Sequence, residues 1–520
     1  MSHTEHYPEK NKWFIAIAVV FGAFLSVMDV SVVNVALPHM MGSFGQTLSA
    51  ITWVATSYSI AEIIMVSMTG WLSTLIGRKR LLLFSFAVFT AGSMLCGTAH
   101  TFSQMLIYRV IQGIGGGALI PISQAILRET FPPRQQGMAM AFFGMGVVLA
   151  PAIGPIIGGW LTDHYGWAWI FYINVPFSLI GMLMISIFVH DPYYLKRGVK
   201  KVDWFGIAFL TVGLTSLQIV LERGQENNWF ESNFIVAMTI MTVATLTAFV
   251  FWELTVKEPI VNFRLMKDTR LTVGSIIVFL FGIALFGTTF ILPQFTQSLL
   301  GYPAYEAGLV LLPRAVALFL CMPMVGFLFN YINARIMIVF GFILIFFSYL
   351  FLAHLSIDMS FSNFVPMLLL MGAGMPFVFV TLSTASLISI PREELTAASG
   401  IYTLFQRIGG NVGYAFVATI LERRSQFHRV HLIEQISLYS GAFQNFYQKF
   451  IGTISQQGMG PVVAQQRLLE ITNRLVDRQA AMLGYNDVSW ILGMMFIGIM
   501  PLVYFLPSKR PKKMDGIAGI

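Results

Sequence analysis

The chain alternates long apolar runs with short polar segments over almost its whole length. Each run has about 20 residues or more, which an α-helix needs to cross the hydrocarbon core of a bilayer. The runs lie near residues 13–37, 50–72, 81–99, 104–127, 137–161, 169–190, 204–222, 232–256, 270–295, 305–329, 335–355, 363–389, 398–421 and 487–507. The pattern predicts an all-α polytopic membrane protein with fourteen transmembrane helices, numbered here as spans 1 to 14.

Composition agrees with this prediction. Hydrophobic residues make up 56% of the chain and charged residues 11%, which excludes a soluble multidomain protein. The first run, Trp13 to Val35, is too long for the core of a signal peptide and lacks a cleavage pattern, so we expect it to remain as span 1. Cys96 and Cys321 lie inside apolar runs and indicate neither a disulfide framework nor a metal site.

The net charge of +8 could suggest a nucleic-acid partner, but the distribution of the basic residues indicates topology instead. Of the 32 Lys and Arg residues, 21 lie in the tails and in the loops that follow even-numbered spans. Such loops face the cytoplasm when they carry an excess of Lys and Arg. We therefore expect both termini in the cytoplasm and no nucleic-acid binding.

Three landmarks recur at a spacing of about 255 residues and indicate an internal repeat. Leu37-Pro38 matches Leu292-Pro293, Gly70-Trp71-Leu72 matches Gly326-Phe327-Leu328, and Gly154 with Gly158 matches Gly409 with Gly413. The repeat predicts two parallel six-helix halves around a central site, which is a transporter plan. The predicted parts are a tail 1–12, a first half 13–190, a linker with two extra helices 191–269, a second half 270–507 with a long periplasmic loop 422–486, and a tail 508–520.

Span 5 has an unusual sequence from Gly144 to Gly159. Pro151 and Pro155 suggest a bend buried in the bundle, and Gly154 with Gly158 forms a flat face for a neighbouring helix. With Gly159, and with Gly409 and Gly413 in the repeat, we expect these residues to act in gating by packing closely against the other half along the central cavity.

Several motifs together resemble the fourteen-span drug:proton antiporters of the major facilitator superfamily, and more narrowly the EmrB-type multidrug exporters. The motifs are Met28 to Pro38 in span 1, Gly70 to Arg80 between spans 2 and 3, Arg109 to Gly113 in span 4, Ala150 to Gly159 in span 5, Trp169 to Pro176, Ser216 to Ile219 with Arg223-Gly224, and Trp252 to Thr255.

This resemblance implies proton-driven export of small hydrophobic compounds by alternating access, without a cofactor. It also implies a place in the bacterial inner membrane and two partners, a periplasmic adaptor protein and an outer-membrane channel. One departure concerns the loop motif with Gly70, Gly77, Arg78, Lys79 and Arg80. Where the family usually has an acidic residue this chain has Thr74, so we expect other contacts to lock the halves.

Asp29 is the strongest candidate for proton coupling. An ionisable residue inside a membrane is costly unless it is paired, hydrated or protonated, so such residues are functional candidates. Arg109 enters span 4 from the outside at a similar depth, so that a pairing with Asp29 is possible. In that hypothesis Arg109 stabilises the ionised form of Asp29 only while the two side chains are close, so that the proton comes and goes with conformation. The alternative is that Arg109 only braces helices.

Glu62, near the middle of span 2, is a candidate second proton carrier or cation contact. Arg314 and Arg407 fall at mid-depth in spans 10 and 13, so the second half contributes cations where the first contributes acids. They either reach a cavity that suits lipophilic anions or pair inside the bundle. Asn34 and Gln112 are further candidates for the substrate cavity.

The glycine-rich stretch Gly113 to Ala118 fits a loose dinucleotide-binding pattern, but no strand precedes it and it lies in an apolar helix. Neither a metalloprotease motif nor a nucleophile elbow is present, so we expect no enzyme and no metal site. Channel or sensor activity, import, or export of one metabolite or siderophore remain alternatives to multidrug export.

The segment 422–486 is polar, rich in Gln and longer than a connection needs to be, which predicts a functional loop or a folded projection. Leu468, Ile471, Leu475 and Met482 recur at helical spacing and indicate an amphipathic helix. Such a helix lies on the outer membrane surface or docks a partner.

Overall fold

The computed structural model describes residues 11–191, 202–435 and 461–506, together with residues 441, 444, 445 and 448. The predicted tails 1–12 and 508–520 lie outside these residues apart from residues 11 and 12, as do residues 192–201 of the predicted linker and most of 436–460 in the predicted loop.

Within the described residues, thirteen helices are long and apolar enough to cross a membrane, and one further long helix packs among them. In chain order they are α1 Lys12–Phe44, α2 Trp53–Ile76, α3 Arg78–Gly97, α4 Phe102–Gly117 continued by Leu119–Thr130, α5 Gln136–Tyr165, α6 Trp169–Tyr172 continued by Asn174–Phe188, α7 Trp204–Arg223, α8 Asn233–Thr255, α9 Thr269–Ser298, α10 Ala304–Leu309 continued by Leu312–Leu328, α11 Ala334–Leu352, α12 Phe361–Ser386, α13 Leu395–Gln435 and α14 Pro461–Ile499. The fourteen predicted spans are confirmed as these helices. Short helical turns are Leu48–Ile51, Pro133–Gln135, Trp229–Glu231, Phe263–Lys267, Arg392–Glu394 and Met500–Phe505.

The helices pack in two equivalent sets, which we call the first half (α1–α6) and the second half (α9–α14). Three equivalent pairs of helices have extensive contacts in both halves. They are α1 with α5, α2 with α4 and α3 with α4 in the first half, and α9 with α13, α10 with α12 and α11 with α12 in the second half. Each pair in the second half is the first-half pair moved by eight helices. The repeat in the sequence therefore corresponds to a repeat in packing.

Both described ends of the chain lie on one side of the bundle, which we call the terminal side. Lys12 Nζ donates to Gln135 Oε1 at 2.9 Å, which places the start of α1 beside the α4–α5 loop. Arg335 Nε donates to the carbonyl of Leu506 at 2.7 Å. The loops after the even-numbered helices of both halves share this side, as the charge distribution predicts for a common side.

The two halves approach each other closely on the terminal side. A Cβ added to Gly70 of α2 would lie 2.6 Å from the Cα of Ala397 in α13, and one on Gly137 of α5 would lie 2.7 Å from the carbonyl oxygen of Gly326 in α10. Small residues permit such backbone contact between membrane helices. The terminal side is therefore closed in this structure.

The two inserted helices, α7 and α8, form a hairpin that touches both halves at its other end. Gln218 Oε1 in α7 accepts from Asn411 Nδ2 of α13 at 2.6 Å. Thr56 of α2 donates its hydroxyl to Glu222 of α7, and Arg223 Nη2 donates to Thr52 Oγ1 at 3.2 Å. The insert thus bridges α2 and α13 away from the terminal side.

The segment 422–486, predicted as a long loop, is helical in most of its described part. α13 has 41 residues, or about 60 Å at 1.5 Å per residue, which is roughly twice the hydrocarbon thickness. Its end and the start of α14 form an antiparallel pair, which we call the projection (residues 422–435 and 461–486). Arg429 Nε bonds Asp477 Oδ1 at 2.7 Å, and Arg424 Nε bonds Asp487 Oδ2 at 2.6 Å. The folded projection is the alternative that the structure supports.

Candidate functional site

Asp29 of α1 lies at the centre of a buried polar cluster in the first half. Arg109 Nη1 of α4 donates to Asp29 Oδ2 at 2.5 Å. Gln112 Nε2 and Asn174 Nδ2 donate to Asp29 Oδ1 at 2.7 and 2.9 Å. Asp29 is 1% exposed and Arg109 is fully buried. The structure therefore brings together Asp29 and Arg109 as the sequence suggested, and it seals them from solvent.

The guanidinium of Arg109 is also held by groups other than Asp29. Its Nε donates to the carbonyl of Val54 at 2.9 Å, its Nη1 donates to Gln112 Oε1 at 2.6 Å, and its Cζ lies 4.3 Å from the ring centre of Tyr58. A buried ion pair is stable only when such additional bonds satisfy the remaining donors and acceptors. Arg109 thus pairs with Asp29 and also braces α2 against α4. It therefore fits the hypothesis of an ion pair with Asp29, and it has a structural role in addition.

Glu62 of α2 and Arg407 of α13 form an ion pair across the two halves. Arg407 Nη2 donates to Glu62 Oε1 at 2.6 Å. The side chains are 5% exposed for Glu62 and 15% exposed for Arg407. Of the two possibilities left open for Arg407, pairing inside the bundle is the one observed, and its partner is the first half's own candidate acid.

Ser26 connects this ion pair to the Asp29 cluster. Its hydroxyl lies 3.2 Å from Glu62 Oε1 and 3.3 Å from the hydroxyl of Tyr58, whose ring supports Arg109. A continuous set of polar contacts therefore runs from Asp29 and Arg109 through Tyr58 and Ser26 to Glu62. Charge changes at one end of this set are felt at the other, because the interior has a low dielectric constant.

Arg314 of α10 lies inside the second half. Its Nη1 and Nη2 donate to the hydroxyl of Thr289 at 3.4 and 3.3 Å, and the residue is 5% exposed. Among the described residues no carboxylate pairs with it. A buried guanidinium without an anionic partner is costly and is suited to receive a negative charge from a ligand.

The loop motif between α2 and α3 forms part of the terminal-side closure. Arg78 pairs with Glu129 at the end of α4 and donates from Nη2 to the carbonyl of Arg392 in the second half at 2.8 Å. Thr74 only donates to the carbonyl of Trp71 in its own helix. Glu129 is therefore the acid that pairs with Arg78, and Arg78 contributes one of the contacts between the halves. Gly77 allows the turn because its φ of 90° suits glycine.

The remaining residues of that motif face elsewhere. Lys79 Nζ donates to the carbonyl of Ser186 at 2.7 Å, and its amide donates to Asp191 Oδ1 at 2.8 Å, so it fixes α3 to the end of α6. Arg80 is exposed. Asn34 in α1, a candidate for the cavity, is also exposed.

The expected partner of the span 5 glycines is wrong. A Cβ on Gly154 would lie 2.7 Å from Ser31 Cβ, and one on Gly158 would lie 3.1 Å from the carbonyl oxygen of Val32, so both pack against α1 in the same half. Ser31 also donates to the carbonyl of Pro151 at 3.3 Å, so α1 reaches that proline of α5 as well. Gly159 makes only ordinary contact, with Val35. Close packing against the other half comes instead from earlier in α5.

That contact is made by Gly144 and Gly137. A Cβ on Gly144 would lie 2.7 Å from Met322 Cε of α10. The repeat counterparts Gly409 and Gly413 pack against Phe279 and Ile283 of α9, again within one half. A face of small residues indicates that a helix packs closely against a neighbour, but it does not identify that neighbour. For the face of α5 that carries Gly154, the neighbour is α1.

Asn174, Ser26 and Tyr58 belong to the site and were not singled out from the sequence. Asn174 is a lone amide in an apolar span and fully buried, which is the signal that could have identified it. Ser26 and Tyr58 carry no such signal, since hydroxyl groups are common in membrane helices. Among the described residues, no three His, Cys, Asp or Glu side chains are grouped to hold a metal ion.

Comparison with known proteins gives a consistent result. Residues 19–414 match the family described as Major Facilitator Superfamily. The chain is 32% identical over 507 residues to "Multidrug export protein EmrB" of Escherichia coli (strain K12), which covers 97% of each chain. It is 31% identical over 492 residues to "Fatty acid resistance protein FarB" of Neisseria gonorrhoeae, which covers 94% of this chain and 95% of the relative.

The fold also resembles a solved transporter. The human organic anion transporter MFSD10 (TETRAN) aligns with a TM-score of 0.64 at 12% identity, over 95% of this chain and 100% of that one. At this level of identity the likeness concerns the arrangement of the helices alone.

Proposed function

The chain belongs to the Major Facilitator Superfamily and to its EmrB-type multidrug exporters, and from this premise we propose that it exchanges protons for hydrophobic compounds by alternating access. The observation that supports the proposal is the Glu62–Arg407 ion pair. In this pair an ionisable acid of the first half, Glu62, directly contacts a side chain of the second half, Arg407.

In the proposed cycle, ionised Glu62 attracts Arg407 and favours the state in which the terminal side is closed. Glu62 takes up a proton from the side opposite the terminal side. The proton removes the charge of Glu62, so the attraction between α2 and α13 weakens and the halves part on the terminal side. The proton then leaves on that side and the substrate enters. Reformation of the ion pair closes the terminal side again, and the substrate leaves on the opposite side. A ligand shifts such an equilibrium only by its differential affinity for the two states, and a proton on Glu62 meets this condition.

Asp29 and Arg109 form a second coupling site in this proposal. The ion pair of Asp29 is sealed in the first half, so its proton exchange requires a movement of α1, α4 or α6. Ser26 and Tyr58 transmit the change in charge between Asp29 and Glu62. Because Asp29 and Glu62 are connected in this way, the conformation of the protein determines when each of them binds and releases its proton.

We propose lipophilic anions as a substrate class, with Arg314 as the residue that binds the anionic group. Arg407 is engaged by Glu62, whereas Arg314 has only the hydroxyl of Thr289 as a hydrogen-bond partner among the contacts given above. The relative FarB is named for fatty acid resistance, and fatty acids are lipophilic anions at neutral pH. Both points support this substrate class.

We further propose that the terminal side faces the cytoplasm of a bacterium, since it carries most of the Lys and Arg residues. The projection then stands in the periplasm. Phe427, Val430, Leu469 and Leu475 are exposed on it, beyond the length that a membrane can cover. Exposed apolar side chains of this kind suit a protein partner, and the periplasmic adaptor of a pump that continues to an outer-membrane channel fits this position.

The test of the proposal is a transport assay with the purified chain in lipid vesicles. A pH gradient is imposed and uptake is followed across a panel of lipophilic anions and cations. Antiport predicts that substrate accumulates against its gradient and that each substrate drives proton movement. A channel or a sensor gives downhill flux or none, without substrate-dependent proton movement.

A further inference from the structure

The inserted hairpin has a buried pair of carboxylates at its base, where α7 begins and α8 ends. Asp203 caps α7, and its Oδ1 accepts from the amide of Gly206 at 2.9 Å. The indole of Trp252 in α8 donates to Asp203 Oδ1 at 2.9 Å and to Oδ2 at 3.0 Å. Asp203 therefore ties the first turn of α7 to the last turn of α8.

Glu253 follows Trp252 and is 1% exposed. Its Oε2 accepts from the amide of Val261 at 3.2 Å, which folds the segment after α8 back over the carboxylate. Its Oε1 has no hydrogen-bond partner among the described residues, and it is buried. An unsatisfied buried carboxylate oxygen is costly, because it has lost water without gaining a donor.

Asp203 Oδ2 and Glu253 Oε1 both lie beside Gly206 in the first turn of α7. A Cβ added to Gly206 would lie 2.6 Å from each of them, so the two oxygens are at most 5.2 Å apart. The space beside Gly206 is therefore occupied by the two carboxylates, and a larger residue at this position would have to displace them.

The charged groups around the pair leave it without an evident counter-ion in the described part of the chain. Arg264 donates to the carbonyls of Leu254 and Val256 at 3.2 and 3.0 Å, and Lys257 is exposed. Glu258 adds a further acid to the same segment, and it has a partner of its own. Lys200 and Lys201 precede Asp203 and lie outside the described residues.

We propose that Asp203 and Glu253 bind one proton between them, which Glu253 Oε1 donates to Asp203 Oδ2. Two buried carboxylates near each other repel when both carry a charge, and a proton bound between them removes this repulsion. The proton turns the unsatisfied oxygen of Glu253 into a donor and gives it the nearest acceptor. A metal ion is a poorer occupant, since magnesium and calcium need about six or more oxygen ligands and only two oxygens face this space.

This proton site is separate from Asp29 and Glu62 and goes beyond the proposed transport cycle. It lies on the terminal side, because the chain enters α7 from the first half and leaves α8 toward the second half on that side. The proton holds together the start of α7, the end of α8 and the segment that leads to α9. When pH rises and the proton is lost, two buried charges face each other and the base of the hairpin loosens. The stability contributed by this site is therefore present at low pH and lost as pH rises.

Infrared spectroscopy of the purified chain in lipid vesicles tests the proposal, since a protonated carboxylic acid has its own carbonyl band. Glu253→Gln keeps the shape of the side chain and removes the acid, and Glu231→Gln, an exposed acid in the α7–α8 turn, is the matched control. We expect a band at neutral pH that is missing in Glu253→Gln and retained in Glu231→Gln. If Glu253→Gln retains every carboxylic acid band, as it would if Lys201 neutralised the pair, the proposal is wrong.

Two further measurements separate a proton site from a merely structural contact. Asp203→Asn keeps a helix-capping side chain and removes the neighbouring charge, so the Glu253 band should disappear at lower pH than in the unmodified chain. The melting temperature of the unmodified chain should fall, relative to that of Glu253→Gln, as pH rises through the loss of the band. A Glu253→Gln variant that is destabilised equally at every pH would overturn the proposal and leave the transport mechanism untouched.

Discussion

Glu62 Oε1 and Arg407 Nη2 lie 2.6 Å apart, although the two residues belong to different halves and are 345 positions apart in the chain. The contact lies between the terminal-side seam and the bridge made by the inserted helix α7. Because Glu62 is itself part of the contact between the halves, its protonation directly weakens that contact.

The first prediction concerns the energy of the ion pair. Glu62→Gln and Arg407→Gln each leave one buried charge unpaired, so each should lower the thermal stability of the purified chain, and the double variant should recover part of the loss. We expect a coupling energy of about 1–3 kcal/mol from the double-mutant cycle. The exposed pair Arg429 and Asp477 of the projection is the control, for which less than about 1 kcal/mol is expected. Additive effects of Glu62→Gln and Arg407→Gln would show that the two side chains do not interact.

The second prediction concerns Asp29. Asp29→Asn leaves the guanidinium of Arg109 buried without its anion, which should cost about 3–5 kcal/mol of stability and abolish transport driven by a pH gradient. Thermal unfolding and vesicle transport measure the two effects. Asp163→Asn, at an exposed pair with His39, is the control and should change neither. A fully stable and fully coupled Asp29→Asn variant would remove Asp29 from the mechanism.

The third prediction concerns the terminal-side seam. Gly70→Ala places a Cβ 2.6 Å from the backbone of Ala397, so it should hold the seam open, whereas Gly42→Ala has nothing within 4 Å and should have no effect. Overpacking of about 1–3 kcal/mol corresponds to a shift of about 5–150-fold between the two states. The measurement is the labelling rate of a cysteine placed at the buried Ser399, in a background without Cys96 and Cys321. Equal labelling rates in Gly70→Ala and Gly42→Ala would show that the seam closes without Gly70.

The fourth prediction concerns substrate charge. Arg314→Gln removes the cation proposed to bind the anionic group, and a charged hydrogen bond of about 1.5–3 kcal/mol corresponds to a loss of at least about tenfold in apparent affinity. Lipophilic anions should show this rise in KM in vesicle transport, and neutral or cationic compounds should not. Loss of affinity for all substrates alike would assign Arg314 to the fold of α10 instead.

Much of the fold could be predicted from the sequence, because the bilayer imposes a length and an apolar composition on each span. α13 is the instructive case, since the apolar run 398–421 predicted its membrane-spanning part although it contains Arg407, and the repeat supported that assignment through Gly409 and Gly413. The second arm of the projection was predicted as a helix from the spacing of Leu468, Ile471, Leu475 and Met482, and these residues lie in α14. The helical continuation of α13 over residues 422–435 was not predicted. Outside the bilayer a helix needs no apolar run, so polar composition favours a loop and a projecting helix equally.

The candidate site was predictable as a set of residues but only partly as a set of contacts. Asp29 and Arg109 enter from known ends of their spans, so depth alone placed them together. The pairing of Glu62 with Arg407 depends on how two halves meet, and no spacing within one half specifies that. The span 5 glycines show the same limit, because Gly154 indicates a close neighbour without indicating that the neighbour is α1.

The central claim is that Glu62 carries a proton whose presence decides whether the two halves attract each other. Its most direct test is Glu62→Gln in lipid vesicles, measured once with an imposed pH gradient and once as exchange of labelled for unlabelled substrate at equal pH. The account predicts that Glu62→Gln loses accumulation driven by the gradient and still exchanges substrate, whereas the exposed control Glu393→Gln retains both activities. Accumulation by Glu62→Gln at the level of the unmodified chain would contradict it.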